Sequence, residues 1–224
     1  MMQHCVSIIE TGLDEAIEAS RKAVSKGADL IEIRFDYFTQ LPKDFSRFKE
    51  FQIPKIATLR SEAQGGRWKG KDEQKVKFLA KAYKGAFDFI DVEDDFPLLH
   101  HRELDGIRII VSSHIYDSSP RLMAVVDRLV ANGSKGDTPK VVYRTETVTD
   151  VASLVSAGKL FSLAERKFAL IGMGQMGTIT RVCANRFGAS LTYVALEPGK
   201  EAAPGQLDLA TMKWLGNRAM RGTR

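Results

Sequence analysis

The segment Leu30-Ile31-Glu32-Ile33-Arg34-Phe35-Asp36 decides the fold class. Its apolar and β-branched residues are typical of a buried strand, yet charged residues recur at every second position. Because side chains alternate along a strand, Glu32, Arg34 and Asp36 should share one face. A buried strand with a charged face indicates that the polar groups serve a functional site.

Apolar segments rich in β-branched residues recur along the chain and predict eight strands. They cover residues 5–10, 30–36, 55–60, 87–94, 108–114, 140–145, 168–173 and 191–196. Helices are predicted between and after them, at 13–25, 43–51, 73–83, 97–104, 120–131, 148–164, 177–187 and 208–219. Alternating strands and helices imply parallel pairing. The prediction is an α/β protein, a single-domain (β/α)8 TIM barrel over residues 1–224. An open doubly wound sheet is the alternative.

The composition narrows the possible partners. The 224 residues are 44% hydrophobic, enough for one sizeable core. The net charge of +5 mildly favours an anionic ligand, but the basic residues are dispersed, so no nucleic-acid partner is expected. No apolar run approaches about 18 residues, so no membrane partner is expected. Cys5 and Cys183 lie far apart, without metal-ligand spacing, and indicate a reduced, cytoplasmic protein.

Lys140 occupies a position where lysine is unusual. It follows Pro139 in the run Pro139-Lys140-Val141-Val142-Tyr143, which otherwise predicts a buried strand. Burial favours the neutral amine of a lysine, and a neutral amine can attack a ketone to form a Schiff base. The alternative is a lysine at the start of a strand whose ammonium reaches water.

Polar residues also follow the predicted strands at the end where barrel enzymes place their active sites. Arg60 ends the third strand, His114 ends the fifth, and Glu146 follows the sixth. Titratable groups from several strands converge at this rim and indicate a site. Lys140 lies nearer the start of its strand, so it should point into the barrel from below the rim.

The segment Gly172-Met173-Gly174-Gln175-Met176-Gly177 matches the glycine fingerprint of dinucleotide-binding proteins, with Glu197 twenty residues further on. An NAD-binding oxidoreductase is therefore one hypothesis. Only 27 residues follow Glu197, too few to complete a dinucleotide-binding half. In a barrel the same glycines would lie after strand seven, where backbone N–H groups commonly hold an anion. We favour the anion site.

Seven motifs stand in one order along almost the whole chain. They are Glu32-Ile33-Arg34-Phe35-Asp36, Thr58-Leu59-Arg60 before Gly65-Gly66, Ile90-Asp91-Val92-Glu93, Ser112-Ser113-His114 with Pro120, Pro139-Lys140, Met176-Gly177-Thr178-Ile179-Thr180-Arg181 and Ala203-Pro204-Gly205-Gln206. Together they resemble the type I 3-dehydroquinate dehydratase family of the shikimate pathway. The resemblance implies a (β/α)8 barrel, often a homodimer, that converts 3-dehydroquinate to 3-dehydroshikimate and water without a cofactor or a metal.

The resemblance also implies roles for individual residues. Lys140 would form the imine, and His114 would move the proton. Arg181 would bind the substrate carboxylate as a bidentate clamp. Residues 197–206 would form a lid over the substrate. Further substrate contacts are expected from Glu32, Arg34, Arg60 and Gln206, with possible support from Gln64, Ala202 and Ser112.

Two positions depart from the family pattern. Gln64 stands where the family usually has a glutamate that orients the histidine, so the pKa of His114 should be lower here than in relatives with the acid. Glu62, Asp91 and Glu93 are other possible supports for the histidine. Ala202 stands where the lid typically has a serine, which removes one expected substrate hydrogen bond.

Other functions remain open from the residues alone. A different class I lyase or aldolase on the same barrel would also use Lys140. A non-catalytic barrel that binds an acid of the shikimate pathway would explain Gln64 and Ala202. The oxidoreductase hypothesis depends on Gly172, Gly174 and Gly177.

Overall fold

The computed structural model describes residues 2–117, 119–132 and 138–221, and its eight parallel strands close into one barrel in sequence order. The strands are β1 (Gln3–Ile8), β2 (Leu30–Arg34), β3 (Lys55–Thr58), β4 (Phe89–Glu93), β5 (Ile109–Ile115), β6 (Thr138–Arg144), β7 (Ala169–Met173) and β8 (Leu191–Ala195). β1 pairs with both β2 and β8, which closes the barrel. The predicted (β/α)8 architecture is confirmed, and the open sheet is excluded for these strands.

Six α-helices are described outside the strands. They are α1 (Leu13–Ser25), α2 (Asp72–Gly85), α3 (Ser119–Asn132), α4 (Val148–Leu163), α5 (Thr178–Val182) and α6 (Leu209–Arg221). In the described part of the chain, none is long and apolar enough to cross a membrane. The domain prediction of 1–224 extends past the described residues at both ends.

Three helix predictions were wrong in kind or extent. Residues 43–51 contain only a 3₁₀ segment, Ser46–Glu50, and residues 97–104 contain only Arg102–Leu104. The predicted helix at 177–187 divides into α5 and a 3₁₀ turn, Ala184–Phe187. In the first case Phe45, Phe48 and Phe51 are all buried at a spacing of three, the period of a 3₁₀ turn.

Some predicted strands were also too long. β2 ends at Arg34, and Asp36 lies in the 3₁₀ turn Phe35–Tyr37 that follows it. β3 ends at Thr58, so Arg60 lies in the loop beyond that strand. The change from strand to turn lets Asp36 fold back onto Arg34 instead of projecting beside it.

The barrel interior changes from apolar to polar along the strand direction. Its apolar part is a cluster that includes Cys5, Leu30, Ile56 and Ile110. Two residues further along the same strands, the inward side chains are polar: Ser7, Glu32, Thr58 and Ser112, all buried. The polar layer therefore rests on an apolar floor, and the larger core lies between the strands and the helices.

Candidate active site

A cavity of about 650 Å³ lies at the carboxyl-terminal end of the barrel. Every predicted site residue except Ser112 lines it: Lys140, His114, Glu32, Arg34, Arg60, Arg181, Gln206, Gln64 and Ala202. Ser112 is fully buried and lies behind the lining. The barrel thus brings together residues from six of its strands, from the loops after β3, β5, β6, β7 and β8, and from α5.

Lys140 points into the barrel from the third position of β6, and its residue is only 5% exposed. Its Nζ atom lies 3.0 Å from Asp91 Oδ2 and 3.4 Å from Glu32 Oε1. The ring of Tyr193 covers another side, with its centroid 3.9 Å from Nζ. Because only 6% of the Lys140 side chain is exposed and two carboxylates contact its amine, the alternative of a lysine at the start of a strand whose ammonium reaches water is wrong.

Asp91 is the hub of the buried charges, a role that the sequence did not reveal. Its Oδ1 atom accepts hydrogen bonds from Arg60 and from Ser112 Oγ, each at 2.6 Å. Burial opposes ionisation, but Arg60 and then Lys140 outweigh it and hold the pKa of Asp91 below its usual range. Asp91 therefore remains a carboxylate and, from β4, connects the loop after β3 with β5 and β6.

Glu32 is positioned by two hydroxyl groups from the neighbouring strands. Ser7 Oγ donates to Glu32 Oε2 and Thr58 Oγ1 donates to Glu32 Oε1, each at a distance of 2.9 Å. The strand register explains the Ser7 contact, because Ser7 lies beside Glu32 in the β1–β2 pair. Neither hydroxyl was predicted as part of the site.

The imidazole of His114 is half-buried near the rim and contacts Gln64. Gln64 Oε1 accepts a hydrogen bond from the His114 backbone N–H at 2.9 Å and lies 3.2 Å from Nδ1. The Gln64 amide in turn donates to Asp95 Oδ2 at 2.9 Å. Burial lowers the pKa of His114 well below its usual value, and Arg60 and Lys140 lower it further.

The other candidate supports of the histidine have different partners. Glu62 is at the surface, paired with Lys69. Glu93 is buried and pairs with Lys75 and Arg60. Of the four groups considered from sequence, Gln64 is the one whose side chain contacts the imidazole.

The guanidinium groups of Arg34 and Arg181 differ in their hydrogen-bond partners. Arg34 forms two 2.8 Å hydrogen bonds with Asp36, and this pairing raises the pKa of Arg34 despite the opposing effect of burial. Arg181 is 1% exposed and donates only to the carbonyls of Gly172 and Tyr193. Its second terminal nitrogen has no hydrogen-bond partner among the described residues, and burial lowers the pKa of Arg181 to about 10.

Several residues of the loop 197–206, including Ala202 and Gln206, line the cavity. Gln206 Oε1 accepts a hydrogen bond from the Ala202 N–H at 2.6 Å, and Gln206 Nε2 reaches Ser7 Oγ at 3.5 Å. Gly205 has φ of +77°, and a Cβ there would lie 2.4 Å from the Gly174 carbonyl oxygen. Only glycine therefore permits the observed close approach of this loop to the loop after β7.

The glycine fingerprint serves packing in this fold. A Cβ on Gly177 would lie 2.3 Å from the carbonyl carbon of Gly172, so the two residues must be small. The N–H of Gly174 donates to Pro204, and that of Gly177 donates to Gly174, so these two amides do not face an anion. β7 and β8 belong to the closed barrel, and the proposed dinucleotide-binding half is therefore wrong.

Several residues that line the cavity were not predicted. They include Tyr116, Tyr193, Thr145 and Met173. Tyr193 could have been found from register, because β8 places it beside Cys5 on the inward face of β1. Tyr116 lies in the loop after β5, and no periodicity marks it.

The fold and the site together define an α/β barrel whose cavity holds a buried lysine amine, an imidazole and several guanidinium groups. The chain belongs to the type I 3-dehydroquinase family, whose profile matches residues 4–216. The family membership expected from the seven motifs is thereby confirmed.

Individual relatives agree with this family. A 3-dehydroquinate dehydratase of Methanococcus vannielii is 31% identical over 220 residues, which cover 95% of this chain and 98% of that protein. The enzyme of the same name from Methanothermobacter thermautotrophicus is 32% identical over 218 residues, 95% of each chain. The solved 3-dehydroquinate dehydratase of Aquifex aeolicus has a TM-score of 0.76 at 27% identity, covering 98% of this chain and 100% of that chain. The type I enzyme of Clostridium difficile has the same fold, with a TM-score of 0.83 at 24% identity over 99% of this chain and 93% of that chain.

Proposed function

We propose that this chain is a hydro-lyase that dehydrates 3-dehydroquinate to 3-dehydroshikimate through an imine on Lys140. The observation that carries the proposal is the buried Nζ atom in contact with Asp91 and Glu32, inside a cavity that His114 also lines. The family membership supplies the substrate, and the cavity supplies the chemistry.

The first step joins the Lys140 nitrogen to the ketone carbon. The Lys140 ammonium first lends one proton to a neighbouring group, and the neutral amine attacks the ketone carbon. That proton and one from the nitrogen leave with the carbonyl oxygen as water, and the resulting imine keeps one proton on nitrogen. This cation withdraws electrons from the neighbouring C–H bond, so a weak base can remove the proton. The reaction uses a side chain of the chain itself and requires neither a cofactor nor a metal.

His114 is the base and then the acid in this proposal. Its pKa is lowered by burial and by the cations Arg60 and Lys140, so the imidazole is neutral near pH 7 and able to accept the proton. After it does so, the electron pair moves to the imine nitrogen and a neutral enamine results. The imidazolium then protonates the departing hydroxyl, which leaves as water and restores the cationic imine.

Arg181 is suited to the substrate carboxylate. Its unpaired terminal nitrogen is a buried donor, and a carboxylate would satisfy it with a charge-assisted hydrogen bond. Arg34 is already held by Asp36, and Arg60 by Asp91, so both present oriented guanidinium groups to the ring hydroxyls. Glu32 would accept from a hydroxyl.

The loop 197–206 completes the site as a lid. Gln206 bridges the lid to Ser7, and Ala202 lines the cavity where a serine would add a hydroxyl. A closed lid keeps water from the imine and so limits hydrolysis before the chemistry is complete.

Mass spectrometry after incubation with 3-dehydroquinate and borohydride tests the proposal. We expect a covalent adduct on Lys140, and Lys140→Ala should lose both the adduct and turnover. Formation of a near-ultraviolet enone distinguishes the dehydratase from an aldolase that traps at the same lysine. An active protein without an adduct would disprove the imine mechanism, and binding without turnover between about pH 5 and 9 would favour the non-catalytic barrel.

The assembly and the compartment are part of the same proposal. We expect a cytoplasmic homodimer that binds neither nucleic acid nor membranes, with a small anionic substrate as its ligand. Cys5 is buried and Cys183 half-buried, and both are free thiols, which fits a reducing compartment. Light scattering on the purified chain tests the dimer, since a monomeric mass at assay concentration would contradict it.

A further inference from the structure

Tyr193 contacts the reactive nitrogen from the side that the carboxylates leave open. The tyrosine lies in β8, is 3% exposed, and lines the cavity with its ring. The Lys140 Nζ atom lies over the ring face, 3.9 Å from its centroid. Tyr193 Oη has no hydrogen-bond partner among the described residues, so the ring face, and not the hydroxyl, makes the directed polar contact.

We propose that the ring face of Tyr193 stabilises the positive charge on the Lys140 nitrogen, and above all keeps the imine protonated during the reaction. The inference rests on the proposed imine mechanism. An aromatic face carries negative potential, and its attraction for a cation is strongest where water is excluded. The site provides both the aromatic face and the exclusion of water, because Lys140 and Tyr193 are both buried.

The charge balance of the reaction shows what the ring would affect. A lysine ammonium and a ketone give a protonated imine and one water, so one positive charge stays on nitrogen. The ring therefore favours the starting ammonium and the protonated imine alike. An imine that loses this proton no longer withdraws electrons effectively, and catalysis then fails at higher pH. Stabilising the cation extends the pH range over which the imine remains reactive.

Other charged groups act on the same nitrogen and set the background for this effect. Asp91 and Glu32 contact it directly and also favour the cation. Each carboxylate is shared, Asp91 with Arg60 and Glu32 with two hydroxyls. The remaining charged or titratable groups that line the cavity or adjoin the ring are Arg34, His114, Tyr116, Arg144, Glu146, Arg181 and Cys5. None of these groups changes in the variants of Tyr193 described below.

The rate of trapping by cyanoborohydride tests the inference, because this reagent reduces the protonated imine. With saturating 3-dehydroquinate, the trapping rate falls at high pH with a midpoint at the pKa of the imine. Tyr193→Leu removes the aromatic face, and we expect its midpoint to fall by about one pH unit. Tyr193→Phe keeps the face and loses only the unpaired hydroxyl, so its midpoint should match that of the natural chain.

Fluorinated phenylalanines at position 193 separate electrostatics from packing. One to three ring fluorines weaken the negative face stepwise with little change in size, so the midpoint should fall stepwise as well. This series also decides the matter if Tyr193→Leu does not fold. Equal midpoints in the leucine variant or across the fluorinated series would overturn the inference. Absence of any adduct in the natural chain would instead refute the imine mechanism itself.

Discussion

Replacing Gln64 with glutamate should move the acid limb of the pH–rate profile to higher pH. In the natural chain the amide oxygen of Gln64 lies 3.2 Å from His114 Nδ1 and carries no charge. A carboxylate at this position would stabilise the imidazolium and raise the pKa of His114. Because His114 acts first as a base, kcat/KM is lost as pH falls through that pKa, so the loss should begin at a higher pH.

The distance gives the size of the shift. Coulomb's law for unit charges 3.2 Å apart gives about 1 kcal/mol in water and about 5 kcal/mol at an effective dielectric constant of about 20. One pKa unit corresponds to about 1.4 kcal/mol. Gln64 is 5% exposed, and burying a new carboxylate there offsets part of the gain. We expect a net shift of about 1–2 units.

Asp95 determines whether the full shift appears. Gln64 Nε2 donates to Asp95 Oδ2 at 2.9 Å, and glutamate has no N–H to replace this donor. In Gln64→Glu two carboxylates would face each other, which favours protonation of one of them and weakens the effect on His114. The double variant Gln64→Glu with Asp95→Asn restores a donor beside the new carboxylate. The double variant should therefore show the larger shift, and Asp95→Asn alone serves as the control.

Initial rates of enone formation between about pH 5 and 9, at substrate concentrations below KM, measure the acid limb in all four proteins. The expected order of its midpoint is natural chain, then Gln64→Glu, then the double variant. An acid limb that is the same in the double variant and in Asp95→Asn would refute the argument that Gln64 tunes His114.

Three further outcomes follow from the site. Arg181→Lys keeps the charge but loses the fork, so KM should rise about tenfold or more with a smaller change in kcat, as measured by steady-state kinetics. Asp91→Asn breaks the buried pair with Lys140 and should cost about 3–5 kcal/mol in urea unfolding at neutral pH. Because the pKa of Asp91 is lowered by folding, that stability is present above the unfolded-state value and is lost as pH falls through the folded-state pKa, so the difference between the two proteins should shrink in acid. Ala202→Ser returns a hydroxyl to the lid and should lower KM about fivefold, equivalent to about 1 kcal/mol, if that hydroxyl meets the substrate; an unchanged KM would count against the lid contact.

The strands of the barrel could be predicted because each carries a local signal. Every strand is a short apolar run, and all eight observed strands overlap the predicted ones. Periodicity predicted helices less reliably, because some of the predicted helices are 3₁₀ turns in the structure. A buried residue at every third position, as in Phe45, Phe48 and Phe51, suits a 3₁₀ turn as well as an α-helix. Strand ends were also uncertain, because the turn that takes Asp36 back to Arg34 depends on their pairing, which periodicity does not encode.

The sequence could predict which residues belong to the site, but not which of them contact each other. The motifs suggested which residues are present, and the barrel brings them to one cavity. The partners depend on strand register, a property of pairs of strands that no single segment specifies. Asp91 contacts Lys140 because β4 and β6 both pair with β5. Asp91 accepts a hydrogen bond from Ser112 Oγ of β5, and Lys140 lies opposite Ser112 in the β5–β6 register. The contact between Lys140 and Tyr193 likewise spans the barrel from β6 to β8.

The buried charges form one alternating chain whose order explains why the barrel tolerates them. Lys75 pairs with Glu93, Glu93 with Arg60, Arg60 with Asp91, and Asp91 with Lys140. Such pairs are often no more stabilising than apolar residues of similar size, because each charge must lose its water. Their value lies in the reaction. The condensation of an ammonium with a ketone conserves the charge on nitrogen, so Asp91 faces a cation before and after the imine forms. These charged side chains are therefore oriented during folding and need not rearrange when the substrate reacts. Fixed charges contribute most to catalysis under this condition.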